Sequence, residues 1–246
     1  MLSALLALVP LSGQAVRKET EVNVNVDLTD EGRKITLPTR EHPAYYFPLV
    51  GGFRQEGAVM AGEKAPDRLP VLKEIARILA QNGYLVVGPK TPVPSVLLVF
   101  FWGNMNPEID DPGDNQKVFF NQRQMVALVG GQTLNNLDLF SEREAVMQGA
   151  EDDRYFVMIA AYDFAAAQQK KKVLLWRTKM STPANGVDFP DVLPALIASG
   201  GPLLGHETLR PVWVDQPLEP KGTVKLHELQ VEEYIEPGSP PGKKTH

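Results

Sequence analysis

The sequence contains no cysteine among its 246 residues. This absence excludes disulfide bonds, thiol catalysis, zinc sites that use cysteine and lipid attachment at an N-terminal cysteine. Histidine is also scarce, and the four histidines, at positions 42, 206, 227 and 246, do not fall within helical or hairpin spacing of one another. The sequence therefore lacks an HExxH-type zinc pattern, and we predict neither a metal site nor a cofactor.

A net positive charge and long apolar runs are also absent. The formal net charge is −5, and the few runs of Lys and Arg are not interleaved with aromatic residues, so we predict no nucleic-acid partner. No apolar run reaches the ~18 residues that a membrane-spanning helix needs, so we predict no transmembrane segment. The motifs GxSxG, GxGxxG and the P-loop are absent as well, so no local pattern marks a nucleophile or a phosphate site.

Residues 1–15 differ in composition from the rest of the chain. Residues 1–11 are apolar and uncharged, and small residues follow before the first basic ones. Gly13 and Ala15 stand where a signal-peptide cleavage site has its −3 and −1 positions, although a positively charged leading region is missing. We therefore predict a signal peptide and a periplasmic or secreted protein. If residues 1–15 are instead an apolar strand or helix of the mature protein, we expect a cytoplasmic protein.

The segment 67–102 carries the clearest structural pattern. Asp67 is a candidate N-cap, and Asn82-Gly83 supplies a residue that can turn left-handed at the end of a helix. Between them, apolar residues recur with helical spacing at Val71, Leu72, Ile75, Ile78 and Leu79. The nearly unbroken apolar run 96–102 predicts a strand that is buried on both faces, in the middle of a sheet.

Further segments predict other strands of this sheet. Residues 21–28 alternate strictly, which predicts a strand with one buried and one wet face, and 34–37 is predicted to be its hairpin partner. Residues 155–164 and 173–180 predict an antiparallel hairpin, with the lysines 170–172 at its exposed turn.

These elements predict an α+β fold, in which helices pack against a mixed, largely antiparallel sheet of five or six strands. A doubly wound α/β domain is the alternative, because the central helix lies between apolar strands. We expect one domain over 16–215, with a helical insertion at about 104–150. The charged, proline-rich segment 216–246 is expected to be an extended, largely disordered tail.

Aromatic residues concentrate in the stretch 42–53, whose prolines favour an edge strand or an extended segment packed on the core. Together with a tryptophan from the central strand they form a candidate binding set, which is Tyr45, Tyr46, Phe47, Phe53 and Trp102. Such a set can line a groove or a partner surface. Core packing is the competing interpretation.

Several of these features resemble small α+β domains of uncharacterised bacterial envelope proteins. They are a helix that ends in Asn82-Gly83-Tyr84, a strand at 96–101, a later strand with Leu174-Leu175-Trp176-Arg177 and a closing helix. The resemblance covers residues about 68–200. It implies an exported, non-enzymatic accessory protein and transfers no catalytic residues. The lipobox cysteine usual in such proteins is missing here, so a lipid anchor is not implied.

Two classes of function remain. The first is an exported protein that acts by binding or as an accessory envelope component, with another envelope protein as candidate partner. The second is a hydrolase-type enzyme whose site is assembled from distant residues. A cleft in which His42 or His206 meets a carboxylate and a hydroxyl would favour the enzyme. An exposed apolar patch at 45–53 would favour binding, which is the function we expect.

Overall fold

The computed structural model describes residues 18–59, 64–110, 118–130, 137 and 140–218. The predicted signal peptide at 1–15 and nearly all of the predicted tail at 216–246 lie outside the described residues. The described chain forms one seven-stranded sheet, a separate two-stranded ribbon and helices that pack on both faces of the large sheet.

The strands are numbered in chain order. They are β1 (Glu19–Leu28), β2 (Ala44–Gly57), β3 (Tyr84–Val86), β4 (Val96–Asn106), β5 (Ile109–Asp110), β6 (Val118–Phe119), β7 (Arg154–Asp163), β8 (Leu174–Pro183) and β9 (Val212–Pro217). The α-helices are α1 (Arg68–Gln81), α2 (Gln122–Val129), α3 (Phe140–Gly149), α4 (Phe164–Gln168) and α5 (Phe189–Gly200). The helices α2 and α3 lie between β4 and β7, where the sequence predicts a helical insertion.

The large sheet has the strand order β3-β2-β4-β7-β8-β1-β9. β2 runs parallel to both neighbours, and the other neighbouring pairs are antiparallel. The predicted α+β fold with a mixed, largely antiparallel sheet is confirmed, whereas the doubly wound alternative needs a mostly parallel sheet and does not form. The predicted count of five or six strands is wrong, because the edge strands β3 and β9 both join the same sheet of seven.

The predicted hairpin partner of β1 at 34–37 is wrong. Gly32–Lys34 forms a turn of 3₁₀ helix, and β1 pairs with β8 and β9. The chain after β1 is held to β8 by the hydroxyl of Thr29, which donates to the carbonyl of Leu174 at 2.7 Å. Pairing with strands distant in sequence therefore replaces the local hairpin.

The main core lies on the face of the sheet that α1 and α5 cover. The predicted apolar side of α1 is buried, and Gly83 follows the helix with a φ of +79°, so the sequence pattern of this helix is confirmed. Asp67 occupies the N-cap position, although its side chain makes no capping hydrogen bond. The central strands contribute alternate residues to the same core, among them Leu98, Phe100, Trp102, Val157, Ile159 and Trp176.

β2 is an edge strand over most of its length, because β3 covers only residues 44–46. The carbonyl of Tyr46 points to that outer side, where it accepts from the N–H of Val87 at 2.9 Å. Pro48 stands two residues further on and points the same way, so its missing N–H removes no bond to β4. A bulge after Val50 also interrupts the register with β4. The edge position that the prolines predict is therefore confirmed beyond Tyr46.

Two leucines of α1 allow a matched test of this packing. Leu79 is 0% exposed and Leu69 is 63% exposed. We expect Leu79→Ala to lower the free energy of unfolding by about 2–5 kcal/mol, because it leaves a cavity in the core. Leu69→Ala should change it by less than about 0.5 kcal/mol. Urea denaturation followed by circular dichroism measures both, and equal losses would contradict this placement of α1.

Candidate functional site

The second face of the sheet is partly covered, in contrast to the wet face that the sequence predicts for β1. The polar residues Asn23, Asn25 and Asp27 are only 0%, 2% and 8% exposed. They are buried because α2 packs over β1 and β8, while α3 packs beside β9. The wet-face prediction is wrong, because helices of the insertion cover this face. Asn25 bonds to carbonyls of α2, and Asp27 pairs with Lys179 of β8.

Buried donors from the sheet hold the last turn of α2. Nδ2 of Asn25 donates to the carbonyls of Leu128 at 2.7 Å and Val129 at 3.2 Å. Nζ of Lys179 donates to the carbonyl of Ala127 at 2.6 Å. A helix leaves its last four carbonyls without helical partners, and its C-terminus carries partial negative charge. An amide and an ammonium group therefore provide what the end of α2 requires.

Lys179 also forms a buried ion pair. Its Nζ lies 3.1 Å from Oδ2 of Asp27, with the two side chains 5% and 8% exposed. Burial lowers the pKa of Lys179, and Asp27 acts against that shift. Arg177, the preceding residue on the same face of β8, stands opposite Asp27 in the register. Asp27 is thus paired with Lys179 and stands next to a second basic residue of β8.

A cleft of about 410 Å³ opens beside the ion pair. Asp27 and residues of α2, β4, β7 and β8 line it. Among them are Arg123, Met105, Met158, Arg177 and Lys179. Methionine side chains adapt readily to different apolar shapes. The cleft therefore has an adaptable apolar floor and a basic wall.

An apolar groove of about 440 Å³ lies further along the same sheet. Its floor consists of side chains from β2, β4 and β7, which are Leu49, Leu97, Val99, Phe101 and Tyr162. The lysines 170–172, at the predicted exposed turn between β7 and β8, form its rim. Leu49 is 50% exposed, so this floor is open to solvent.

The cleft and the groove lie side by side on one face of the sheet. In the register, Phe101 of the groove stands opposite Met158 of the cleft, and Met158 stands opposite Lys179. We call this combined surface the open face. It is apolar in the middle and basic at both ends, and Asp27 is the one acidic residue among its lining residues.

Phe47 is the predicted binding residue that lies nearest to the groove. It is 46% exposed, stands opposite Leu97 in the register and contacts the ring of Phe164 with the ring centres 6.0 Å apart. Tyr45, also on β2, is half-buried and pairs with Leu85 of β3.

The other three residues of the predicted set belong to the main core. Tyr46 is 4% exposed and meets the ring of Phe100 edge-on, with the ring centres 6.2 Å apart. Trp102 is 1% exposed, and Phe53 packs against the same core. For these three residues the structure shows the packing role that the sequence left as the competing interpretation.

The run 96–102 is not buried on both faces as its composition predicts. Leu97 and Phe101 are only half-buried, because α4 contacts β4 and β7 beside the groove and leaves these side chains partly open to solvent. The alternate residues of this run form the apolar floor of the groove, and the lysines 170–172 form its basic rim. Both segments can be recognised in the sequence, but nothing in the sequence indicates that they lie together.

The residues named for a hydrolase do not form a site. His42 and His206 are both exposed and lie outside helices and strands, while His227 and His246 fall outside the described residues. Among the residues that the structure describes, no three His, Asp or Glu side chains are placed to hold a metal ion. Within the same ranges, no helix has the length and hydrophobicity to cross a membrane.

Comparison with known proteins identifies no family, since no protein-family model and no curated protein matches the sequence. A PDZ domain protein from Parabacteroides distasonis is similar with a TM-score of 0.41 and 12% identity, over 81% of this chain and 39% of that chain. This chain thus spans less than half of that protein. The PelC dodecamer from Paraburkholderia phytofirmans is similar with a TM-score of 0.35 and 10% identity, over 76% of this chain and 97% of that chain. Both likenesses are too distant to assign a function.

The ion pair under α2 can be tested with Lys179→Met, which removes the charge and keeps the side-chain length. We expect a loss of about 3–5 kcal/mol in the free energy of unfolding, because Asp27 and the carbonyl of Ala127 lose their partner. Lys172→Met, an exposed control, should change it by less than about 0.5 kcal/mol. Equal stability of the two variants would contradict a buried role for Lys179.

The difference in stability between the wild type and Lys179→Met should also depend on pH. Burial lowers the pKa of Lys179 in the folded state. In the unfolded chain the pKa of a lysine is about 10.4, so the ammonium group of Lys179 loses its proton at a lower pH in the folded state than in the unfolded state. The unfolded state binds more protons in the interval between the two values. The stability of the wild type should therefore rise relative to Lys179→Met as the pH increases through that interval. A difference that falls with pH would contradict the lowered pKa.

Proposed function

We propose that the protein binds an anionic amphiphile on the open face and catalyses no reaction there. The ligand is a molecule with an apolar chain and a carboxylate or phosphate head group. The observation that carries this proposal is an apolar sheet face, left uncovered and bordered by basic residues, in a chain whose net charge is −5.

The apolar part of the open face supports a ligand with a hydrocarbon chain. Leu49 and Phe47 are 50% and 46% exposed, next to a groove of about 440 Å³. Contiguous apolar surface of this kind in a folded protein commonly marks a binding site. The volumes of the groove and the cleft, about 440 and 410 Å³, also fall in the ~300–1,000 Å³ range of small-molecule sites.

The distribution of charge supports an anionic head group. The lining residues include Arg123, Arg177, Lys179 and the lysines 170–172, against Asp27 as the only acid. Since Asp27 is paired with Lys179, the other basic groups remain available to an anion. Arg54 adds a further cation, because its guanidinium lies 5.4 Å from the ring centre of Phe101.

The chemistry of the lining residues favours binding over hydrolysis. Among the described residues that line the cleft and the groove there is no Ser, Thr or His, and a hydrolase of the kind considered above needs a nucleophile and a base within hydrogen-bond distance. Basic and apolar side chains on a sheet instead provide attraction and burial, which suffice to hold a ligand.

The proposal is tested by titrating the protein with 11-(dansylamino)undecanoic acid, a fluorescent fatty acid. Saturable binding is expected for the wild type. Leu49→Asp should weaken it by about 10- to 100-fold, because the change removes apolar contact area and adds a negative charge to the groove. Leu209→Asp is the matched control, since Leu209 is 69% exposed and does not line the open face. Equal effects of the two substitutions would refute this location.

A charge test separates the head group from the chain. The double variant Lys171→Glu and Lys172→Glu should weaken the binding of dodecanoate and leave the binding of 1-dodecanol unchanged, because only the former carries a charge. Added salt should weaken dodecanoate binding in the wild type. Binding of the alcohol and the acid with the same affinity and salt dependence would contradict an anion-selective site.

We further propose that the protein is exported, as an accessory component of a bacterial envelope. The apolar, uncharged segment 1–11 and the small residues Gly13 and Ala15 support this proposal, and the lack of cysteine is compatible with it. The intact mass of the protein, recovered from fractions of its own cells, provides the test. We expect a mature chain that begins at Val16 and is found outside the cytoplasm. A cytoplasmic protein that retains residues 1–15 would refute export.

A further inference from the structure

A second cleft lies on the other side of the insertion, where α3 faces the β9 edge of the sheet. It has a volume of about 490 Å³. Its lining residues include Glu21, Gln148, Asp152, Arg154 and Trp213. None of them lines the open face, so this cleft is a separate surface.

Arg154 is unusual because it is buried without a full set of partners. Its side chain is 1% exposed. Nε donates to Oγ of Ser181 at 3.1 Å, and Nη1 donates to the carbonyl of Gly149 at 3.2 Å. Nη2 has no hydrogen-bond partner among the described residues. Burial lowers the pKa of Arg154 to about 10, so the guanidinium is charged at neutral pH. A ligand oxygen in the cleft would supply the missing acceptor.

The charge of the cleft restricts the kind of acceptor. Burial is the main influence on Arg154, but Asp152 and Glu21 both act on its guanidinium in the opposite direction. The cleft thus has two carboxylates against one cation, which disfavours an anionic ligand. A hydroxyl suits this arrangement, because it accepts from Nη2 of Arg154 while it donates to a carboxylate. The amide of Gln148 offers both a donor and an acceptor beside them.

Trp213 adds a flat apolar wall. It stands opposite Asn23 in the β1–β9 register, which places it on the face of the sheet beside α3. It packs against the small cluster that contains Val129 and Val146 and is half-buried there. An indole ring in this position can contact the C–H face of a saturated ring by dispersion and apolar burial.

We propose that this cleft binds a neutral sugar ring. The ring face contacts Trp213, one hydroxyl bridges Arg154 to Asp152 or Glu21, and another hydroxyl meets Gln148. A sugar combines the two properties that the lining requires, since it has hydroxyls that donate and accept and a ring face that carries only C–H groups. This proposal does not depend on the function proposed for the open face.

The full-length, ¹⁵N-labelled protein is titrated with methyl β-D-glucopyranoside and methyl β-D-galactopyranoside into the millimolar range. The chain has three tryptophans, and Trp102 and Trp176 are 1% and 0% exposed. We expect a saturable shift of one indole N–H resonance, assigned to Trp213 from the spectrum of Trp213→Phe, while the other two stay in place. Inorganic phosphate and glycine are titrated in parallel as an anion and a zwitterion.

Two truncated side chains and a control locate the site. Gln148→Ala and Asp152→Ala should each weaken sugar binding by about tenfold, because each removes a side chain that hydrogen-bonds to the ligand. Glu144→Ala, an exposed change on the same helix outside the cleft lining, should leave it unchanged. No saturable shift with either sugar, a shift with phosphate or glycine alone, or an equal loss in Glu144→Ala would overturn the proposal.

Discussion

The end of α2 depends on donors that the sheet supplies. The carbonyls of Ala127, Leu128 and Val129 accept from buried groups of Lys179 and Asn25. A buried carbonyl without a partner costs on the order of 1–3 kcal/mol. A helix of eight residues is also too short to be stable alone. The polar face of β1 and β8 is therefore what gives α2 a defined position, and the ion pair with Asp27 keeps the Lys179 ammonium in place.

This attachment divides the second face of the sheet. α2 covers β1 and β8, while the short helix α4 contacts β4 and β7 only beside the groove, so the groove around Leu97 and Phe101 stays open. The first face has no such division, because α1 and α5 cover it with apolar side chains. One face thus provides most of the hydrophobic stabilisation, and the other provides the surfaces that a ligand can reach.

Both candidate sites border on the insertion, but they differ in charge. α2 forms a wall of the cleft at Lys179 and Arg177, where basic groups outnumber the single acid. α3 forms a wall of the cleft at Arg154, where Glu21 and Asp152 outnumber the cation. A protein with a small net charge can separate its charges in this way because each helix of the insertion meets a different part of the sheet. The two surfaces consequently favour different classes of ligand.

Local periodicity was sufficient to predict α1 with its buried side and the β7–β8 hairpin with its exposed lysines. In each case the pattern depends on residues that are close in sequence. It was insufficient for the strand count, for the partners of β1 and for the roles of the aromatic residues. Phe47 and Tyr46 are adjacent in sequence, and yet one lies beside the groove and the other in the core.

The sequence by itself determined where the longer strands and helices form and which of their sides are apolar, because backbone geometry fixes the spacing of side chains. Only the tertiary structure decided which faces are covered. Asn25 is buried through its bond to Leu128, a residue 103 positions away, and nothing in the alternating pattern of β1 encodes that contact. The open face and the Arg154 cleft are likewise made of residues from segments far apart in the chain, since the access of water to a side chain depends on what packs over it.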